Sequence, residues 1–193
     1  MKVIFSHGKE SGPWGSKITA LAEVAKALDA PVKVQVESVD YTHTTDPHQR
    51  VEILRRSLDR DDLILVGSSM GGYVSTVAAQ QYPVKGLFLL APAFYMPGYD
   101  IQEFGNIRCP VTVIHGWCDD IIPYGHSVRF AREQRANLIL VDSDHGLASA
   151  HLALTQYFRL FLLEILDLRA RLSKSLENRL AQPDPMYPPR FGQ

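Results

Sequence analysis

A chain of 193 residues, 46% hydrophobic and 21% charged, is long enough to bury a substantial core within one domain. Its 20 Lys and Arg nearly cancel its 21 Asp and Glu, so no strong field would recruit nucleic acid or an anionic membrane. The apolar run Met1–Phe5 is too short for a signal-peptide core, and no later run approaches a membrane span. Two cysteines, Cys109 and Cys118, form no dense disulfide pattern, and a reducing cytoplasm is the expected setting.

Lys2 to Ser6 reads as a buried strand that ends in the tight turn His7-Gly8. Ile18, Leu21, Ala22, Ala25 and Leu28 recur at helical spacing and predict a helix over 15–28. Val32, Val34 and Val36 alternate with Lys33, Gln35 and Glu37, the pattern of a half-buried strand near a sheet edge. Asp46-Pro47 starts a helix, Asp as N-cap and Pro at the first helical position, with Val51, Ile53, Leu54 and Leu58 as its buried face. Leu63–Gly67 is the uninterrupted apolar run of a central parallel strand, and a small-residue helix over 70–82 follows it and stops before Pro83. Further strands are predicted over 84–90, 111–115 and 138–141, and further helices over 124–135 and 151–171.

Strand and helix alternate, so the expected architecture is an α/β doubly wound, mainly parallel six-stranded sheet with helices on both faces. Residues 1–172 form the expected domain, and 173–193 a C-terminal tail, basic at first and then Pro-rich. Two roles are open for the aromatic connection Ala91–Cys109: walling a substrate pocket, or packing over the edge of the core. Reactive groups in such sheets gather at the carboxyl ends of the strands. Attention therefore falls on His7-Gly8, Gly67-Ser68-Ser69, Ala91-Pro92, His115-Gly116 and Asp142–His145.

Gly67-Ser68-Ser69-Met70-Gly71 fits G-x-S-x-G between an apolar strand and a helix. A sharp strand-to-helix turn would strain the central serine and lift its hydroxyl above the sheet edge, with flanking glycines removing Cβ clashes. The bland alternative is a glycine-rich turn without chemistry, or one that holds a phosphate; Ser68 is the neighbouring alternative to Ser69. A serine hydroxyl needs a histidine to take its proton and a carboxylate to fix that histidine's tautomer, in the chain order Ser, acid, His. The acid can come from Asp119 or Asp120 in His115–Pro123, and the base from His145 after the last strand. His43, His48 and His126 read as surface residues.

Taken together, His7-Gly8, the turn at Ser69, the HGxxDxxxP-like run His115–Pro123 and Asp144-His145-Gly146 resemble the α/β-hydrolase superfamily, in particular its small, lidless esterase and thioesterase-like members, over about residues 2–171. The resemblance implies a minimal α/β-hydrolase fold with no large lid and a catalytic set of Ser69, Asp119 and His145, favouring Asp119 over Asp120. It places oxyanion-hole amides at Lys9 and Met70 and gives His7 and His115 supporting hydrogen bonds. His7, Trp14 and Tyr95 are candidate pocket residues, with Glu10 near the entrance. The implied activity is hydrolysis of a small-molecule carboxylic ester or thioester through an acyl-serine, with no cofactor, no metal and no nucleic-acid partner. Three alternatives stand beside it. The same triad could pass its acyl group to another acceptor, or the fold could be a silent binding protein. A metal hydrolase using His7, Asp119 and His145 lacks any H-x-x-x-H pair or cysteine cluster. The oligomeric state is open.

Overall fold

The computed structural model describes residues 1–30, 32–59 and 62–166. Six parallel strands, β1 (Lys2–Ser6), β2 (Gln35–Val39), β3 (Leu63–Ser68), β4 (Gly86–Leu90), β5 (Val111–Gly116) and β6 (Asn137–Val141), lie in the order β2-β1-β3-β4-β5-β6. They alternate with helices α1 (Ser16–Lys26), α2 (Pro47–Arg55), α3 (Met70–Gln81), α4 (Tyr124–Gln134) and α5 (His151–Ile165). The expected tail and the end of the last predicted helix lie outside the described residues.

The unbroken apolar runs follow from two-sided burial. Ile4, Leu63, Leu65, Leu87 and Val113 point into one layer with residues of α2, α3 and α4. Their neighbours Val3, Phe5, Ile64, Val66, Phe88 and Ile114 point into the other, against α1 and α5. Successive side chains leave opposite faces of a strand, so a strand covered on both sides must be apolar throughout. The edge strand β2 is only partly buried.

Two readings change. The alternating run Val32–Val36 is not the strand: β2 begins at Gln35, because β1 pairs with it in the register Lys2↔Gln35 to Ser6↔Val39. Val32 is left exposed before it. The buried face of α2 consists of Arg50, Val51 and Leu54, with Ile53 and Leu58 only partly covered. The connection over 91–110 contains no helix or strand; it packs over the edge of the core and also borders a cavity. Phe94 stacks on Phe130 of α4 with ring centroids 4.0 Å apart, while Met96, Pro97 and Tyr99 face a cavity at the sheet edge.

Chain order explains where that cavity lies. From β1 the chain moves outward to β2, then crosses to the far side of β1 to lay down β3 and continues to β6. Crossovers on either side of β1 diverge, so the loops after β1 and β3 leave a crevice between them at the carboxyl edge.

Candidate active site

Ser69 joins β3 to α3 with φ 54° and ψ −120°, a backbone region that non-glycine residues avoid. The turn is held from several sides: the Ser69 N–H donates to Leu90 O at 2.9 Å, and Ser69 O accepts from Gly72 N–H at 2.9 Å and Ala93 N–H at 3.0 Å. Close approach explains the flanking glycines. A Cβ on Gly67 would lie 2.3 Å from Gly71 O, and one on Gly71 2.0 Å from Ser6 O. α3 therefore starts directly against the end of β1, which brings the His7–Lys9 loop beside the serine.

Two other loops complete the array. Gly116 ends β5, and the backbone then bends back on β6, with Trp117 N–H donating to Val141 O and Cys118 N–H to Ser143 O. This fixes the Asp119 loop against the His145 loop. His145 Nδ1 lies 2.8 Å from Asp119 Oδ2, and His145 Nε2 lies 3.0 Å from Ser69 Oγ. With an ionised Asp119 the Nδ1 site carries the proton, which leaves Nε2 to accept from the serine hydroxyl. Asp120, the rival acid, is exposed and outside this chain of hydrogen bonds.

Every acceptor position of the Asp119 carboxylate is engaged. Oδ1 accepts the Ile121 and Ile122 N–H groups at 3.0 and 2.8 Å. Oδ2 receives His145 and also His115 Nε2 at 2.9 Å. Burial alone would raise this carboxyl's pKa, but the two amides and His145 reverse the effect and hold it below the ordinary aspartate value. His115 is fully buried, its Nδ1 2.7 Å from Ser127 Oγ, and burial lowers its pKa. It is a neutral donor to Asp119 and to Ile122 O.

Residues 2–106, more than half of the chain, match the Uncharacterised protein family (UPF0227). The chain belongs to this family. No curated protein matches it. Its fold is that of the α/β hydrolases. A protein of Xanthomonas campestris pv. campestris described within the α/β hydrolase superfamily is 29% identical, with a TM-score of 0.75 over 84% of this chain and 97% of that one. Est1E of Butyrivibrio proteoclasticus is 19% identical, TM-score 0.71, over 86% and 88% of the two chains. An alpha-beta serine hydrolase homologue from Coxiella burnetii is 20% identical, TM-score 0.67, over 83% and 84%.

The cavity of this UPF0227 chain holds about 500 Å³, and Ser69, His145, Lys9 and Met70 all line it. Glu10 lines it as expected from its loop. His7, Trp14 and Tyr95, the candidate pocket residues, do not. His7 lies beneath the loop, fully buried. Trp14 is half exposed outside the cavity. Tyr95 turns to α4, where its hydroxyl donates to Glu133 at 2.8 Å and Arg129 covers its ring. The apolar walls come instead from Met70, Met96, Pro97, Tyr99, Ile121 and Ile122.

The residue that sequence reasoning missed is Arg50. Fully buried in α2, it donates from Nε to Thr44 O at 2.9 Å and from Nη1 to His7 O at 3.3 Å and Gly8 O at 3.1 Å. Nη2 reaches Tyr41 O at 3.4 Å and Lys9 O at 3.5 Å. Gly8 O also receives His7 Nδ1–H at 2.7 Å. Gly8 C=O and Lys9 N–H belong to one trans peptide and point in opposite directions. The Lys9 N–H therefore points away from the two buried donors that hold the Gly8 carbonyl. Among the described residues no group of three or more His, Cys, Asp and Glu is placed to hold a metal ion. No helix among them is long and apolar enough to cross a membrane.

Proposed function

We propose that this protein is a serine hydrolase that cleaves a carboxylic ester or thioester through an acyl-serine intermediate. The reading is carried by one observation: the continuous chain Ser69 Oγ to His145 Nε2 at 3.0 Å and His145 Nδ1 to Asp119 Oδ2 at 2.8 Å, set on a strained strand-to-helix turn. Ser69 Oγ attacks the carbonyl carbon while its proton passes to His145 Nε2. The negative charge that grows on the carbonyl oxygen is met by the N–H groups of Lys9 and Met70. Collapse breaks the bond to the alcohol or thiol, which leaves with the proton from His145. Water then attacks the acyl-serine, giving its proton to His145, and the carboxylic acid departs as Ser69 Oγ is reprotonated. Asp119 stabilises the imidazolium in both halves and holds its tautomer in between.

Treatment with a fluorophosphonate probe and peptide mass spectrometry tests this directly. The expected result is one adduct per chain, on Ser69, absent from Ser69→Ala and strongly slowed in His145→Ala. Folded protein that takes no label, or takes it equally well without His145, would overturn the proposal.

A further inference from the structure

The cavity beside Ser69 is walled mainly by apolar side chains, yet Lys17, the second residue of α1, also lines it. Lysines ordinarily carry the ammonium out to water along their apolar stems. Here the side chain lines the cavity that Ser69 and His145 also line, and it feels the charges of Asp119, the carboxylate beneath His145, and of Asp144. Among the described residues it has no hydrogen-bond or ion-pair partner. Neither carboxylate claims it. Asp119 is committed to two amides and two histidines, and Asp144 sits on the exposed face of the His145 loop.

The surrounding charge is biased the same way. Lys9 lines the same cavity, and the Arg50 guanidinium reaches the Lys9 carbonyl; among the described residues Glu10 is the only acidic side chain that lines the cavity. Burial lowers the Lys17 pKa, with the Asp119 and Asp144 charges opposing it. A partly desolvated, unpaired cation held in an apolar cavity favours an anion arriving with the ligand.

We propose that Lys17 is a specificity determinant that selects esters or thioesters bearing a carboxylate a few bonds from the scissile carbonyl. This rests on Ser69 being the nucleophile. The carboxylate can belong to the acyl group or to the leaving group, and two substrate pairs separate these sources. The 4-nitrophenyl monoester of glutaric acid is compared with 4-nitrophenyl pentanoate. The acetyl ester of 4-hydroxybenzoic acid is compared with that of 4-methylphenol. In the native protein kcat/KM should favour the anionic member of one pair by about tenfold to a hundredfold, the scale of a charge-assisted contact. Lys17→Met should collapse that ratio to within about threefold of one, Lys17→Arg should retain most of it, and Lys17→Glu should invert it. A native ratio near one in both pairs, or a ratio unchanged in Lys17→Met, would overturn the proposal while leaving the hydrolase reading intact. If neither pair is turned over and Ser69 takes no fluorophosphonate, the hydrolase reading fails. Glutarate binding to Ser69→Ala, followed by NMR titration against pentanoate, then decides the anion site alone. Loss of glutarate binding in the Lys17→Met background supports it, and absence of binding at millimolar glutarate refutes it.

Discussion

His7 should refuse a proton at pH values where an ordinary histidine accepts one. The ring is fully buried; Nδ1 lies 2.7 Å from Gly8 O and Nε2 accepts the Tyr41 N–H at 3.0 Å. A proton on Nε2 would face that N–H, so the site dictates a neutral ring with its hydrogen on Nδ1. Burial is the largest influence and lowers the pKa; the Gly8 carbonyl opposes it, the Arg50 charge adds to it and Asp40 weakly opposes it. The folded-state pKa is therefore below the unfolded value of about 6.5. As pH falls through that value the unfolded chain takes up a proton and the folded chain does not, so stability is lost on acidification. If the folded ring stays neutral to pH 5.5, the loss from pH 7 is about 1.3 kcal/mol. His115, also buried with a lowered pKa, adds up to a similar amount. Urea midpoints at the two pH values measure the sum, and ¹⁵N-detected ring spectra identify which histidine stays neutral. A His7 ring that titrates near pH 6.5 with the fold intact would refute the reasoning, because the Tyr41 hydrogen bond would then not govern it.

The two aspartates and the buried arginine give further predictions. Asp119→Asn should lower kcat by about 10³ to 10⁴-fold on whichever ester proves active, because an amide cannot hold the His145 tautomer, whereas Asp120→Asn should stay within about threefold. Comparable losses in the two variants would place the acid wrongly. Arg50→Met should be less stable to urea by about 2–4 kcal/mol, since several buried carbonyls lose their donor. In the fraction that remains folded kcat should fall more than KM rises, because the Lys9 amide is released. Arg50→Lys should rescue neither property, a single ammonium being unable to span Thr44, Gly8 and Tyr41.

How legible the site was depends on the range of the forces that build it. Ser69 is written locally: an apolar strand, two glycines that tolerate backbone contact, and a small-residue helix are contiguous. Asp119 and His145 each follow a strand of their own, so the element order carries them to the same edge. The alternation at Val32–Val36 records exposure, while the register is set by where β1 begins, more than thirty residues earlier. Loop position points Trp14 and Tyr95 to the pocket, but ring orientation depends on distant partners, for Tyr95 on Glu133 and Arg129 of α4. Arg50 could not be read at all. In a polar helix an arginine looks like a solvated residue, and its acceptors are mostly carbonyls of loops remote in sequence.

On the proposed reading, chemistry and selectivity rest on different parts of this molecule. Ser69, Asp119 and His145 sit immediately beyond strands β3, β5 and β6, and backbone hydrogen bonds between neighbouring loops fix their spacing. The carbonyl of the Gly8–Lys9 peptide is held by donors on its buried side, so the peptide's orientation does not depend on what occupies the cavity. Much of the wall is set otherwise. Met96, Pro97 and Tyr99 ride on the connection over 91–110, whose inner aromatic residues anchor it to α4 while its outer residues face the cavity. Lys17 stands opposite this logic, on the first turn of a helix packed against the sheet, where its backbone is fixed and, among the described residues, its ammonium has no hydrogen-bond or ion-pair partner. A charge held on a rigid element and left without an internal partner discriminates between ligands more sharply than one on an adaptable loop, because little reorganisation can compensate when the matching anion is missing.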